Sequence, residues 1–209
     1  MDRILITGFE PFLGHPVNPS ALLAEALDGT VVAGARVSGV QLPVSYDGAG
    51  GAFAAAFDRV RPDAVLLFGL AFEDEAIRLE RVALNLDDTT HPDNLGQIRR
   101  GRPIAGDGPV GYWSTLPLDT LLDRLTEAGF PARTSRDAGG YLCNHLFFRA
   151  RHLIEGRGLA VPAGFVHVPP LEEQVADRPG RTGITLLRLV EAARLMLEVV
   201  VQESRTTAA

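Results

Sequence analysis

Short apolar runs alternate along the chain with longer segments in which apolar residues recur every three or four positions, and glycine, proline and asparagine separate them. Residues 3–7 read as a short buried strand, followed by a turn-rich loop over residues 8–18. Asn18 can cap a helix and Pro19 suits its first position, so the pattern predicts a helix to about Leu27. Residues 31–42 hold one or two strands, with Val37, Val40 and Leu42 turned inward. Residues 51–60 are alanine-rich and helical. The unbroken apolar run at residues 64–68, ended by Gly69, predicts a strand buried on both faces. Ile77, Leu79, Val82, Leu84 and Leu86 alternate as in a strand, with an irregularity between Leu79 and Val82. Residues 87–109 are polar and rich in Gly, Pro, Asp and Asn, a long loop of the kind that is functional or mobile.

Beyond it the pattern predicts a helix over 118–128 and a short strand over 132–135. A helix then runs from Cys143 to about Glu155, with Leu146, Phe147, Ala150, Leu153 and Ile154 on its apolar face. Residues 164–168 form a strand stopped by Pro169-Pro170, and residues 182–204 a long amphipathic helix. Such alternation implies one domain, a three-layer α/β/α sandwich around a twisted, mostly parallel mixed sheet. There is no internal repeat and no linker.

Composition narrows the function. The 209 residues, 46% hydrophobic and 22% charged, suffice for a sizeable core, and the net charge of −6 gives no basic footprint for nucleic acid. No run approaches the ~18 apolar residues of a membrane span, and the first apolar run is too short for a secretory leader. One cysteine makes no internal disulfide, which fits a reducing compartment, so a cytoplasmic protein is expected. All twenty basic residues are arginine. That removes a Schiff-base lysine, a Ser-Lys dyad and a P-loop lysine.

The lone Cys143 follows Ala138-Gly139-Gly140-Tyr141-Leu142 at a helix start, where free N–H groups and the helix dipole favour a thiolate, with a pKa below the ~8.5 of a free thiol. A small core hydrophobe is the other reading of a single cysteine. Of the five histidines, His145 is two positions along the same helix and points elsewhere, and His152 is too far along it. His167 ends a strand, at the sheet edge where sites of open α/β folds gather, which makes it the better base; it also reads as a satisfied strand-end histidine. Glu80 interrupts an apolar segment and can orient an imidazole, or it can pair at the surface with Arg78 or Arg81. Cys143 and His145 share no metal-ligand spacing, and His145 and His152 stand about 10 Å apart, so no metal site is expected.

Several fragments in order resemble the pyroglutamyl peptidase I family of cysteine peptidases, also called pyrrolidone carboxyl peptidases. They are Ile6-Thr7-Gly8-Phe9-Glu10-Pro11-Phe12, Asn18-Pro19-Ser20, Glu80-Arg81-Val82-Ala83-Leu84-Asn85, Pro92-Asp93-Asn94, Asp107-Gly108-Pro109, Ser114-Thr115-Leu116-Pro117, Cys143-Asn144-His145 and Phe165-Val166-His167-Val168-Pro169. The resemblance runs nearly end to end. It implies an α/β/α sandwich, Cys143 as nucleophile, His167 as base and Glu80 as orienting acid. It implies removal of an N-terminal pyroglutamyl group without cofactor or metal, and a homodimer or homotetramer. By the same resemblance Phe9, Phe12, Asn18, Tyr141 and Leu142 line the lactam pocket.

The chain departs from the family near the substrate. Leu70-Ala71-Phe72-Glu73-Asp74 stand where members carry Gln-Ala-Gly-Gly-Arg, and Thr90 and His91 where they carry Arg and a bulky aliphatic residue. Leu70, Thr90 and His91 are therefore further substrate-site positions. Their change admits two alternatives to a pyroglutamyl substrate: the same chemistry on another small cyclic or acyl amide, or a silent small-ligand binder.

Overall fold

The computed structural model describes residues 1–207. In chain order the elements are β1 (Arg3–Phe9), α1 (Pro19–Leu27), β2 (Val31–Val32), β3 (Ala35–Leu42), α2 (Ala49–Val60), β4 (Ala64–Leu70), β5 (Ile77–Glu80) and β6 (Val82–Leu84). They continue with β7 (Gly111–Trp113), α3 (Leu118–Glu127), β8 (Ala132–Ser135), α4 (Leu142–Gly156), β9 (Ala163–Val168), α5 (Glu172–Val175) and α6 (Leu186–Thr207). Seven strands form one sheet in the order β2-β3-β1-β4-β9-β5-β8, and β6 and β7 form a separate two-stranded ribbon. The central strands β3, β1, β4 and β9 are mutually parallel, while β5 pairs antiparallel with β9 and parallel with β8.

Strand parity sorts the side chains into two cores. Ile4, Ile6, Ala64, Leu66, Phe68, Ile77, Leu79, Val166 and Val168 join one core with Leu23, Leu121, Leu125 and Met196 of α1, α3 and α6. The alternate residues Leu5, Val65, Leu67, Ala163 and Phe165 pack on the other face against Phe53 of α2 and Leu146 and Phe147 of α4. These are the two faces of an α/β/α sandwich. Phe53, Phe147, Phe148 and Phe165 are fully buried. At roughly 1.5–3 kcal/mol for each such side chain, they hold α2 and α4 firmly on their face.

The expected strand over residues 76–86 divides at Arg81. Its N–H donates to Ser135 O and its carbonyl accepts from Ser114 N, so the chain leaves the main sheet there and enters the ribbon. The partner strand β7 is three residues long, too short for a period-two pattern, and neither it nor the single turn α5 is marked in the residue pattern. The last helix begins four residues later than its apolar pattern suggested. Ile184 is drawn into a bridge with Leu171, and the Thr185 hydroxyl accepts from Arg188 N to cap the helix. Residues 87–109 form a long loop, as their composition indicated, closed on itself by an Asp87–Arg102 bridge.

Candidate active site

The same parity that builds the cores aims four residues at α4. On β9, His167 alternates with the core residues Val166 and Val168 and so faces α4 beside Phe165. On β5, Arg78 and Glu80 alternate with Ile77 and Leu79 and face the same way. On β4, Gly69 is the register partner of His167. Glu80 has a side-chain exposure of 0% in the middle of this face. His167 Nδ1 lies 2.7 Å from Glu80 Oε1, and because a carboxylate can only accept, Nδ1 carries the proton. The neutral ring therefore presents Nε2 as its acceptor.

Cys143 arrives from the helix side. Tyr141 is the N-cap of α4, so Cys143 is the second helical residue and its N–H precedes the first intrahelical bond. Its sulfur lies over Gly69: a Cβ built there would stand 2.8 Å from Sγ and 2.7 Å from the Phe165 ring. One strand spacing, about 4.8 Å, separates Gly69 from His167, so the thiol, imidazole and carboxylate share one patch of the sheet. The glycine is what admits the sulfur, whereas in the sequence Gly69 marks only the end of a strand. Its signal was a glycine inside an otherwise continuous apolar strand, a sign of close approach.

Two further residues hold the helix start in place. Asn144, 1% exposed, accepts from Leu84 N and donates to Leu84 O and Leu86 O, fastening the ribbon to α4. His145 points away from Cys143 and meets Asp87 at 3.0 Å, and Asp87 in turn pairs with Arg99. The loop before Cys143 is pressed onto the long loop: Asp88 N donates to Gly140 O, and a Cβ on Gly140 would stand 2.1 Å from Asp88 O. Asn144 and Asp87 carry these ties through buried polar side chains, which sequence alone does not distinguish from solvated ones.

Burial dominates the electrostatics. It pushes the Cys143 thiol up to about 12, with the Glu80 charge adding to this and Arg78 opposing it. Desolvation of the sulfur thus acts against the lowering below ~8.5 that a helix start favours. Burial likewise lowers the His167 pKa against the pull of Glu80. Burial alone would raise Glu80, but the His167 hydrogen bond, Ser135 and Arg78 bring it below the ordinary carboxylate value. These directions favour a neutral thiol, a neutral imidazole and an ionised carboxylate in the resting site. Iodoacetamide labelling of Cys143 is expected to accelerate with pH through the alkaline range; a plateau below pH ~8.5 would mark a resting thiolate instead.

A narrow crevice of about 10 Å³ lies beside the sulfur, lined by Phe9, Phe12, Asn18, Val44, Leu70, Tyr141, Leu142 and Cys143. It is far smaller than the ~300–1,000 Å³ of ligand pockets, so a ring enters it only as these side chains part. Asn18 shapes one wall. Its Oδ1 accepts from Ser20 N and its Nδ2 donates to Glu10 O, while Glu10 Oε1 accepts from Val44 N and Asn94 Nδ2. Tyr141 stacks on Phe12 and donates its hydroxyl to Pro92 O. Thr90 and His91 are exposed on the long loop and lie outside the lining. Phe72 and Glu73 also lie outside it. Phe72 stacks on His15 at 4.3 Å beneath the Arg178 guanidinium, and Glu73 pairs with Arg181. A wider open groove lies at the other end of the sheet, around Met1, Asp63 and Pro162, and shares no residue with this cluster.

Among the described residues, no group of three or more His, Cys, Asp and Glu is placed to hold a metal ion, and no helix is long and apolar enough to cross a membrane.

Residues 2–203 match the family model described as pyroglutamyl peptidase. A pyrrolidone-carboxylate peptidase from Gloeobacter violaceus is 40% identical over 201 residues, 96% of this chain and 98% of that protein. One from Yersinia pestis is 38% identical over 202 residues, 97% and 94% of the two chains. Among solved structures, the pyrrolidone carboxyl peptidase from Thermococcus litoralis superposes with a TM-score of 0.96 at 33% identity, over 99% of this chain and 96% of that one. Pyroglutamyl peptidase I from Bacillus amyloliquefaciens gives 0.92 at 30% identity, over 96% and 97%.

Proposed function

Since the chain belongs to the pyroglutamyl peptidase family of cysteine peptidases, we propose that it removes an N-terminal pyroglutamyl group through a Cys143–His167–Glu80 triad. The observation that carries this reading is the sulfur of Cys143 seated over Gly69, beside an imidazole whose Nδ1–H is given to Glu80. The lactam ring enters the cavity between Phe9, Phe12, Tyr141 and Leu142. As Sγ attacks the acyl carbon, His167 Nε2 takes the thiol proton, so the thiolate forms only where the attack consumes it. The developing oxyanion sits at the start of α4, on the free Cys143 N–H. His167 then passes its proton to the leaving amine as the C–N bond breaks. Water, deprotonated by His167, releases the acyl group and restores the thiol. Glu80 holds the ring and stabilises the imidazolium throughout.

The substrate test is turnover of a fluorogenic pyroglutamyl amide beside prolyl, glutamyl and acetyl amides. The pyroglutamyl amide is expected to be cleaved at least ~10²-fold faster than the others, because a buried site built for a lactam leaves its polar groups unpaired with any other acyl group. Preference for another acyl amide would move the assignment to that substrate. Glu80→Gln should lose less activity than Cys143→Ser, since an amide still orients the ring but does not stabilise the imidazolium. Equal losses would give the carboxylate a different role.

The same reading makes the enzyme a cytoplasmic homodimer or homotetramer, acting on small peptides and not on nucleic acid. In support stand the single unpaired cysteine, the net charge of −6, and the exposed Leu84, Val110 and Trp113 on the β6–β7 ribbon. Sedimentation of the purified protein tests the assembly.

A further inference from the structure

One charged side chain on the catalytic face has no part in the triad. Arg78 stands directly opposite His167 in the β5–β9 register, and its side chain is only 20% exposed. Its guanidinium meets three separate segments. Nε and Nη2 donate to Glu80 Oε1 at 3.0 and 2.9 Å, Nη2 also donates to Asp137 O at 3.2 Å, and Nη1 lies 3.5 Å from Asp74 Oδ2. Asp137 belongs to the loop that leads into Cys143, and Asp74 to the loop that leaves β4. Nη2 is also 3.3 Å from His167 Nδ1. That nitrogen already gives its proton to Glu80, so this last contact is a cation against the ring edge, not a hydrogen bond.

We propose that Arg78 is a positioning residue of the triad, which clamps Glu80 onto the Nδ1 side of His167 and sets the pH range over which the thiol–imidazole pair works. The inference rests on the triad assigned above. A fork on Oε1 fixes the carboxylate that holds the ring by Nδ1, which leaves Nε2 as the free acceptor. The tie to Asp137 joins the same guanidinium to the loop that delivers the nucleophile. A surface arginine merely neutralising a glutamate would make neither the ring contact nor the tie to Asp137.

The charge has a consequence of definite sign. The charged groups acting on His167 are Glu80 and Arg78 from β5 and Asp74 from the preceding loop, itself shared with Arg133; Glu80 and Arg78 also act on the Cys143 thiol of α4. Glu80 and Asp74 favour the imidazolium and Arg78 disfavours it. At the thiol, Glu80 disfavours the anion and Arg78 favours it. Removing the Arg78 charge therefore raises both pKa values.

The experiment is the pH profile of kcat/KM for a fluorogenic pyroglutamyl amide, with the wild type, Arg78→Met, Arg78→Lys and Cys143→Ser. Folding is followed by circular dichroism and melting. Arg78→Met is expected to move the acid limb, set by His167, upward by about half to one pH unit. It should also lower kcat on the order of tenfold, with KM nearly unchanged, as the ring loses its alignment. Arg78→Lys should return the acid limb to its wild-type position and recover part of kcat. An unmoved or downward-shifted acid limb in a folded Arg78→Met protein overturns the proposal. If that variant does not fold, Arg78→Gln is read by the same criterion. Cys143→Ser separates the two levels: turnover in that variant sinks the triad itself, whereas an inactive Cys143→Ser beside an unshifted Arg78→Met leaves the triad standing and removes Arg78 from it.

Discussion

Cys143→Ser and His167→Ala are each expected to lower kcat/KM on a pyroglutamyl amide by at least about 10⁴-fold, with little change in melting temperature. Serine is nearly isosteric with cysteine. At a helix start facing the cavity it disturbs no core contact, but its hydroxyl is a far weaker nucleophile at any pH the fold tolerates. His167→Ala removes the base that makes attack by a protonated thiol possible. Because burial keeps that thiol neutral, little thiolate is available to react without the imidazole. The two losses should not add in the double variant, since each disables the same step. Additive losses, or a His167→Ala enzyme near wild-type rate, would mean that the pair does not act as a unit. Steady-state kinetics on the three variants decides this.

Gly69→Ala is expected to lower kcat on the order of 10²-fold, although glycine-to-alanine is a single added methyl group on a strand. The new methyl would have to occupy a point 2.8 Å from Cys143 Sγ and 2.7 Å from the Phe165 ring. Phe165 is fully buried against α4 and does not yield cheaply. The movable group is the sulfur, and a displacement of about 1 Å is enough to spoil its approach to both the acyl carbon and His167. Overpacking should also cost stability, about 1–3 kcal/mol by denaturant unfolding. Gly51→Ala is the control. That glycine sits on the exposed side of α2 with no atom within 4 Å of the added carbon, so its replacement should stabilise the helix by a few tenths of a kcal/mol to ~1 and leave activity intact. A fully active Gly69→Ala protein would show that the thiol has another place to sit.

The cavity wall illustrates how far residue patterns reach. Phe9, Phe12, Asn18, Leu70, Tyr141 and Leu142 come from three separate stretches of chain and meet around one space. They were named through family resemblance, since no spacing in the sequence links them. Thr90 and His91 were named on the same ground and are exposed on the long loop. Phe72, in the departing segment after β4, does not line the pocket but stacks with His15 beneath Arg178. An aromatic residue in a polar loop has no partner readable along the chain, and which ring it meets depends on loops more than fifty residues away.

The sequence by itself determined the layers. The unbroken apolar run at 64–68 and the short apolar segments within 3–7 and 164–168 read as strands covered on both faces, and the helical spacing after Cys143 and in the last segment supplies the cover. It also determined parity, so once β5 and β9 are strands, Glu80 and His167 must each face opposite to their apolar neighbours. What it left open was every relation between elements. Only the tertiary structure decided that β5 runs antiparallel beside β9, which sets Arg78 against His167 and brings Glu80 onto its Nδ1. The packing of α4 on β4 likewise sets the sulfur over Gly69, where desolvation opposes the lowering that a helix start favours. The physical reason is one of range. Periodicity and capping are set by neighbours within a few residues, whereas register, burial and the field at a thiol are sums over groups that only the fold brings together.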